Sequence, residues 1–325
     1  MYKTFYNLAR NPFEITPDPS FLFPTKKHNE ALAALYYGVR RRKGFVVLTG
    51  EVGTGKTLLL RCLLQLLKRS NDVAYAYVFN GRLAPVEFLQ YAAGDFGLPA
   101  SNRNKAELLL QLSNYVIDRG RKNLFTVLVV DEAHQLSTEI LEEIRLLTNL
   151  ETTQAKLLQI LLVGQPELDE KLDSFELRQL KQRIAFRSRL MPLDQAETKG
   201  YIERRLQLAG ANSNAADIFP SQTIAGIYRR SGGFPRLINT ICENALISGY
   251  SKQMRSVSPE IIEEIATEFR LGAVSSPWSG NPKLMTDNDL RGAARALLDL
   301  YQHLQKAPAW ATPSEAALTR QASGQ

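Results

Sequence analysis

Long apolar segments are absent from the sequence. No run approaches the roughly 20 apolar residues that a membrane-spanning helix needs. The longest, over residues 157–163 and interrupted by Gln159, has the length of a strand. The opening residues Met1-Tyr2-Lys3-Thr4-Phe5 place no apolar core after the lysine, so we expect no secretory signal peptide. These absences predict a cytoplasmic protein with no membrane span of its own.

Cysteine and histidine are also scarce. The two cysteines, Cys62 and Cys242, lie in helix-like stretches, which predicts reduced core thiols rather than a disulfide. Such thiols fit the cytoplasm. His28, one of three histidines, opens a helical segment over residues 30–41. A lone histidine there is interpreted as a surface or capping residue rather than a ligand.

Basic residues exceed acidic ones, 40 against 33, which gives a net charge of +7. The basic clusters cover residues 40–43, 119–122 and 181–189. One interpretation is a basic surface that meets nucleic acid or anionic lipid. Solvated faces and cations that face a bound nucleotide explain the same residues. This second interpretation is favoured, because the excess is modest for the length.

Strand and helix patterns alternate through the first 192 residues. Five β-branched or continuously apolar runs predict strands, at residues 45–49, 73–79, 124–130, 157–163 and 186–191. Helical patterns separate them, including residues 85–96, 105–119, 137–150 and 168–184. This alternation predicts an α/β fold with a parallel five-stranded sheet.

Residue 194 begins a different pattern. Four helical segments follow, at residues 195–208, 221–231, 235–250 and 259–269, and they predict a small all-α domain. The sequence then becomes rich in Ser, Pro and Gly, with one helical segment at residues 289–306. We therefore divide the chain into an N-terminal strap with the first core helix, an α/β domain, a helical lid and a mostly flexible tail. Their bounds are residues 1–43, 44–192, 193–271 and 272–325.

A glycine-rich loop follows the first predicted strand and opens a helix. It reads Gly50-Glu51-Val52-Gly53-Thr54-Gly55-Lys56-Thr57 and continues into Leu58, and it fits the P-loop pattern. Glycines let several backbone N–H groups face one point, and the helix N-terminus adds its dipole there. Lys56 is expected to reach the β- and γ-phosphates of ATP, and the Thr57 hydroxyl to hold Mg²⁺.

A buried strand ends in two acids, Asp131 and Glu132. Acids at the carboxyl edge of a parallel sheet lie where ligands bind. We expect Asp131 to hold Mg²⁺, partly through water, and Glu132 to act as general base. With Ala133 and His134 they also spell the string of DEAH helicases. A helicase needs a second nucleotide-binding lobe, which the sequence does not show, so His134 is interpreted as incidental.

Other polar residues stand near strand ends. Gln165 either bonds the γ-phosphate or the attacking water, or is a polar turn before a proline. Asn80 either keeps Glu132 away from the attacking water until a partner binds, or simply caps the end of a strand. One of Arg178 and Arg183, with Arg183 preferred, is expected to reach a neighbouring subunit's ATP, unless both are surface salt-bridge residues. Arg236, after Pro235 in the first turn of a lid helix, is expected to reach back to the γ-phosphate.

These motifs, in this order, resemble those of AAA+ ATPases. The opening segments resemble the bacterial general secretion pathway protein A (ExeA-like) ATPases. Those segments are Phe5-Tyr6-Asn7-Leu8, Asn11-Pro12-Phe13, Thr16-Pro17-Asp18-Pro19 and His28-Asn29-Glu30-Ala31-Leu32. The resemblance implies an AAA+ core, a helical lid, ATP at their junction and activity in an oligomer. It also implies sensor and finger roles for Gln165, Arg183 and Arg236.

Secretion members of that family continue through a membrane helix into a peptidoglycan-binding domain, and this sequence shows neither. We expect an Mg²⁺-dependent ATPase that works as a homo-oligomer, a ring or filament. It would drive or switch a protein partner in envelope assembly, export or secretion, and a partner would recruit it if it acts at the inner membrane. The alternative is an ATP-dependent DNA-binding regulator of the transposition type. A nucleotide-responsive scaffold with negligible hydrolysis is disfavoured by Glu132.

Overall fold

A single parallel sheet forms the centre of the molecule. The computed structural model describes residues 1–79, 83–151, 155–211 and 215–272. Its strands are β1 (Phe45–Gly50), β2 (Val73–Val78), β3 (Phe125–Val130), β4 (Leu158–Gly164) and β5 (Ile184–Leu190). They lie in the order β2-β3-β4-β1-β5, and every pairing is parallel. The predicted α/β fold with a five-stranded parallel sheet is confirmed.

Helices surround the sheet and build the lid. They are α1 (Tyr2–Phe5), α2 (Lys26–Arg40), α3 (Lys56–Lys68), α4 (Pro85–Asp95), α5 (Lys105–Arg121), α6 (Thr138–Leu147), α7 (Glu167–Leu172), α8 (Arg178–Lys181), α9 (Gln195–Leu208), α10 (Ala215–Ile218), α11 (Ser221–Ser231), α12 (Pro235–Ser251) and α13 (Pro259–Glu268). Short 3₁₀ turns occupy Pro19–Phe21 and Ala133–Gln135. No helix in these described ranges is both long and apolar enough to cross a bilayer.

The central strands are apolar on both faces because helices cover both faces. In β3, Leu128 and Val130 pack in one core with residues of α4, α5 and α6. Val127 and Val129 point the other way and pack with residues of α2 and α3. Side chains of a strand alternate between faces, so a continuous apolar run has to be buried twice.

The lid has a core of its own, and the N-terminal strap is part of it. Tyr6, Leu8 and Phe13 of the strap pack with residues of α9, α11, α12 and α13. The Phe13 and Phe219 rings meet edge to face with centroids 6.0 Å apart. These strap residues therefore pack on the lid, although the α/β domain follows them in the sequence.

One local prediction differs from the structure, and two others are not tested by it. The helical segment expected at residues 168–184 is divided into α7 and α8. Asp173 is the C-cap of helix α7. The Asp173 carboxylate forms ion pairs with Lys181 at 3.0 Å and with Arg187 at 2.9 Å. The expected helix at residues 289–306 and the candidate Asn80 lie outside the described residues.

A pair of glycines sets the direction of α12. Gly232 and Gly233 have φ values of +58° and +78°, which only glycine adopts at little cost. A Cβ added to Gly233 would lie 1.9 Å from the Leu193 carbonyl oxygen. The Leu193 N–H also donates to the Gly233 carbonyl at 2.9 Å. The turn between α11 and α12 is therefore locked against the linker that leaves β5.

Candidate nucleotide-binding site

The sheet order brings three predicted site segments to one edge. Strand β4 lies between β1 and β3. The P-loop leaves the carboxyl end of β1, Gln165 follows β4, and Asp131 follows β3. Because the three strands are parallel, their carboxyl ends meet at the same edge, where open α/β folds bind ligands.

The P-loop adopts a curled backbone. Gly53 and Gly55 have φ values of +85° and +99°, and Gly55 is the N-cap of α3. The Thr54 hydroxyl donates to the Glu51 carbonyl at 2.8 Å and closes the curl. A Cβ on Gly50 would lie 2.9 Å from the Leu190 carbonyl oxygen and from the Thr54 hydroxyl. The loop thus leaves the first N–H groups of α3 facing outward at the end of a helix.

Lys56 lies inside this curl. Its side chain is 6% exposed, and its Nζ donates to the carbonyl oxygens of Gly50 and Glu51 at 2.7 and 3.0 Å. Burial lowers the pKa of Lys56, while the negative charges of Glu132 and Asp131 oppose that shift. An ammonium held by neutral carbonyls in a desolvated place is well suited to receive an anion.

A cavity of about 400 Å³ opens over the loop. Four parts of the chain line it: the P-loop with the start of α3, the strap, the lid and the residue Glu132 after β3. The lining residues are Ile15, Thr16, Pro17, Val52, Gly53, Gly55, Lys56, Thr57, Leu58, Glu132, Tyr201, Arg205, Pro235, Arg236 and Asn239. Gly50, Glu51 and Thr54 shape the loop without lining the cavity. The volume falls in the range of small-molecule sites.

Asp131 is held rigidly beside the loop. It is 5% exposed, and its Oδ1 accepts the Glu132 N–H at 2.9 Å. Its Oδ2 accepts the hydroxyl of Tyr77, on the neighbouring strand β2, at 2.7 Å. No group of three or more His, Cys, Asp or Glu side chains within the described ranges forms a self-contained metal site. The donors here, Thr57 and Asp131, fit Mg²⁺, which takes few protein oxygens and is completed by phosphate and water.

Glu132 has an unusual backbone. Its φ of 52° and ψ of 34° are left-handed, a region that costs a residue with a side chain about 1–2 kcal/mol. Its carboxylate lines the cavity, yet its Oε2 is buried without a hydrogen-bond partner. Strain and an unpartnered acceptor at one residue are typical of functional positions.

Gln165 does not line the cavity; it contacts His134 instead. The Gln165 side-chain nitrogen lies 3.0 Å from His134 Nε2, and the His134 Nδ1 lies 3.5 Å from Glu132 Oε2. The sequence interpretation set His134 aside as incidental, whereas the structure places it between the predicted base and the predicted sensor. The contact depends on the pairing of β3 with β4, which residue spacing does not reveal.

The lid contributes the opposite wall. Arg236, in the first turn of α12, donates its backbone N–H to the Gly53 carbonyl at 3.3 Å. Tyr201 and Asn239 form a buried hydrogen bond of 2.9 Å. Arg205 is 4% exposed and donates to the Pro12 carbonyl at 2.7 Å, with its Nε left without a partner. The sequence motifs point to Arg236 but not to Tyr201, Arg205 and Asn239, because these three are ordinary residues within helical patterns.

His28, in the first turn of α2, packs against the P-loop. It is 6% exposed, and its Nε2 lies 3.2 Å from the Thr54 carbonyl oxygen. A carbonyl only accepts, so Nε2 carries the proton and Nδ1 accepts the Thr25 hydroxyl at 2.7 Å. Burial lowers the pKa of His28. The expected surface or capping position is wrong: His28 is buried against the P-loop.

The two candidate trans-acting arginines have different surroundings. The Arg183 guanidinium donates to the Arg145 carbonyl at 3.1 Å and to the Thr148 hydroxyl at 2.7 Å, at the C-terminus of α6. Arg178 is exposed, and its guanidinium lies 4.1 Å from the centroid of the Phe175 ring, which is 78% exposed. Neither lines the cavity of its own subunit.

Several residues of the basic clusters form contacts within the fold. Arg40 pairs with Asp72 at 2.7 Å. Arg42 donates to the Asn123 side chain at 3.0 Å and stacks on Phe125. In the third cluster, Lys181 and Arg187 pair with Asp173. These contacts account for several members of the clusters without a nucleic-acid partner.

Comparison with known proteins finds an AAA domain and a related secretion protein. A family model described as an AAA domain matches residues 39–172. The chain is 43% identical over 253 residues to general secretion pathway protein A of Aeromonas hydrophila. That match covers 78% of this chain and 45% of the relative, so the chain spans less than half of the relative's length.

Solved structures share the fold at low identity. The ORC2 protein of Aeropyrum pernix, in its ADPNP-ADP complexes, is similar with a TM-score of 0.61 and 18% identity, covering 80% of this chain and 72% of that chain. Cdc6p from Pyrobaculum aerophilum is similar with a TM-score of 0.62 and 18% identity, covering 82% and 70%. The P-loop sheet, the AAA-domain match and the similarity to the secretion protein show that the chain carries an AAA-type P-loop NTPase domain and is related to general secretion pathway protein A.

Proposed function

We propose that the chain binds ATP and Mg²⁺ between the α/β domain and the lid and hydrolyses ATP as a homo-oligomer, to drive or switch a protein partner. The observation that carries this proposal is the cavity in which the P-loop, Glu132 and the lid arginine Arg236 meet. A loop that only turned the chain would need neither a buried lysine nor a strained glutamate across from it.

Lys56 supplies the main charge for the phosphates. Its Nζ exchanges the carbonyl oxygens of Gly50 and Glu51 for β- and γ-phosphate oxygens, and bonds between two charged groups replace bonds to neutral acceptors. Residues 50–57 add backbone N–H groups at the N-terminus of α3, and Leu58 continues the helix. The strap residues Ile15, Thr16 and Pro17 face the same cavity and are proposed to wall the adenine.

Thr57 and Asp131 are proposed to hold the metal ion. The hydroxyl of Thr57 lines the cavity, and the carboxylate of Asp131 is oriented by Tyr77 and by its own backbone. When bound, Mg²⁺ supplies neutralisation of the charge on the β- and γ-phosphate oxygens. Orientation of the carboxylate by Tyr77 keeps one of its oxygens in a fixed direction.

Glu132 is proposed to orient the attacking water and accept its proton. Its carboxylate borders the cavity and has an Oε2 without a hydrogen-bond partner, so it has acceptor capacity to spare. Gln165 is proposed to bond the γ-phosphate or that water. Arg236, fixed next to Gly53 by its backbone, would report the state of the γ-phosphate to the lid.

Assembly completes the site in this proposal. Arg183, which lies outside its own cavity, would reach the ATP of the adjacent subunit and stabilise the charge that develops in phosphoryl transfer, worth about 10³–10⁵ in rate. It would first have to leave the C-terminus of α6, where Thr148 accepts its hydrogen bond. Arg178, exposed beside Phe175, is the second choice.

The partner is proposed from the relative's name. General secretion pathway protein A points to envelope assembly, export or secretion as the process. An ATPase needs cellular ATP, so we place the reaction on the cytoplasmic side of the inner membrane, with recruitment by the partner. The rival role, a DNA-binding regulator, has less support, because Arg40, Arg42 and Arg187 are engaged within the fold.

Glu132→Gln tests the proposal. The variant should bind ATP with wild-type affinity, since the amide keeps the size of the side chain, but its turnover should fall by about 10²–10⁴-fold. Glu268→Gln, on the exposed end of α13, is the control and should keep wild-type turnover. Equal turnover in all three proteins would refute hydrolysis at this site. Salt-sensitive acceleration of the wild-type rate by DNA would instead favour the DNA-binding role.

A further inference from the structure

We propose that His134 is a positioning residue that links the base Glu132 to the sensor Gln165. This inference rests on the proposed function. His134 follows β3, Gln165 follows β4, and the two strands are paired directly. The imidazole lies between the two side chains and is 13% exposed. It therefore joins two groups whose roles in hydrolysis are assigned separately.

The contact with Glu132 supplies what its carboxylate lacks. Oε2 of Glu132 is buried and has no hydrogen-bond partner, and His134 Nδ1 lies 3.5 Å from it. Unsatisfied buried carboxylate oxygens are costly. Catalytic hydrogen bonds are often long before the substrate is in place and tighten afterwards. An Nδ1–H that moves a few tenths of an ångström toward Oε2 would satisfy it.

The contact with Gln165 uses the other ring nitrogen. A neutral imidazole has one donor nitrogen and one acceptor nitrogen. With the proton on Nδ1, facing the Glu132 carboxylate, Nε2 accepts from the Gln165 amide nitrogen at 3.0 Å. The Gln165 backbone N–H also approaches Nδ1, at 3.4 Å, and donates to it in the other tautomer, with the proton on Nε2. The link to Glu132 requires the tautomer with the proton on Nδ1. The second N–H of the Gln165 amide stays available to donate to the γ-phosphate, and the amide oxygen to accept from the water.

The turn that carries His134 is braced from outside. The Nζ of Lys171, on α7, donates to the carbonyl oxygens of His134 and Leu136, both at 2.7 Å. A Cβ on Gly164 would lie 3.1 Å from the His134 backbone nitrogen, so β4 approaches the turn closely. The imidazole is thus fixed by its surroundings, as a group that positions others must be.

The consequence is that detection of the γ-phosphate or the water by Gln165 is coupled to catalysis by Glu132. When Gln165 engages the γ-phosphate or the water, His134 transmits the change to Glu132 through two ring contacts. Loss of the γ-phosphate would break the same contacts, again beginning at Gln165. The base would then take its productive position only while a triphosphate is bound.

A double-mutant cycle tests this link. His134→Ala and Gln165→Ala should each lower kcat by about 10- to 100-fold, the usual effect of removing an orienting partner, with the ATP Kd unchanged. The double variant should be no slower than the slower single variant, because both substitutions break one chain of contacts. His134→Gln, which keeps a donor and an acceptor, should recover part of the loss.

The controls separate this role from packing. Gln135→Ala, on the exposed neighbour in the same turn, should keep wild-type kcat. Losses that multiply in the double variant, or a His134→Ala protein with a lower melting temperature, weaker ATP binding and unchanged kcat, would overturn the link alone. A wild-type protein that hydrolyses no ATP, or that is matched by Glu132→Gln, would overturn the proposed function as well.

Discussion

Replacing Gly233 by alanine should disconnect the lid from the nucleotide site. An alanine Cβ there would lie 1.9 Å from the Leu193 carbonyl oxygen, whereas real Cβ contacts are at least about 3.0 Å. The two segments must therefore move apart by more than 1 Å. The movement breaks the hydrogen bond from the Leu193 N–H to the Gly233 carbonyl and carries Arg236, three residues on, away from Gly53.

The expected cost has three parts. The left-handed backbone costs alanine about 1–2 kcal/mol, the lost hydrogen bond about 1 kcal/mol, and the forced displacement about 1–3 kcal/mol. We expect Gly233→Ala to lose about 3–6 kcal/mol of stability. Gly97→Ala is the matched control, because Gly97 has the same φ of +78° and nothing within 4 Å of an added Cβ. It should lose only the backbone part, about 1–2 kcal/mol.

Urea unfolding followed by circular dichroism measures both variants, and a fluorescent ATP analogue measures affinity. Gly233→Ala should also bind ATP more weakly, since the lid wall shifts, whereas Gly97→Ala should bind as the wild type does. Equal stability losses in the two variants would show that the close approach of Gly233 to Leu193 carries no energy. Normal ATP affinity in Gly233→Ala would show that the lid wall is not needed for binding.

Three other outcomes are expected from single sites. Lys56→Ala should abolish measurable ATP binding in equilibrium dialysis, and unchanged affinity would refute the phosphate cradle. Arg183→Ala should keep ATP bound while hydrolysis falls by on the order of 10³, with partial rescue in mixtures with wild-type subunits; activity that is independent of protein concentration and of Arg183 would refute a shared site. Burial raises the pKa of Cys62 from 9.0 to about 12 and also raises that of Cys242, so at pH 8 about one Cys62 thiol in ten thousand is ionised. Native protein should resist iodoacetamide that labels urea-unfolded protein, and rapid native labelling would contradict the burial. The raised pKa of Cys62 adds stability that is complete below pH 9 and is lost as the pH rises through about 12.

The sequence predicted the sheet well because its strands are unambiguous. Continuous apolar runs have to be buried on both faces, and each ends in a clear signal: a P-loop, an acid pair or a Gly-Gln-Pro turn. The lid helices were equally clear from their period. The division between α7 and α8 was not, because residues 173–177, which separate the two helices, contain no glycine or proline to mark a break.

What the sequence could not show is which residues meet across strands. Tyr77 reaches Asp131 because β2 pairs with β3 in a register that aligns Val78 with Val130. His134 reaches Gln165 for the same kind of reason. Residue spacing along the chain carries no record of such neighbours, so the motif residues were found and the residues that orient them were missed.

The N-terminal strap makes the lid a composite of both ends of the described chain. Phe13 belongs to the lid core, and Ile15, Thr16 and Pro17 then pass directly along the cavity. The Pro17 carbonyl accepts a hydrogen bond from the Arg61 guanidinium of α3 at 2.7 Å, so the strap ties the lid to the α/β domain along one side of the cavity. A lid that turned away from the P-loop would therefore pull on the strap between these two anchors, so the proposed adenine wall and the Arg236 side of the cavity are mechanically connected.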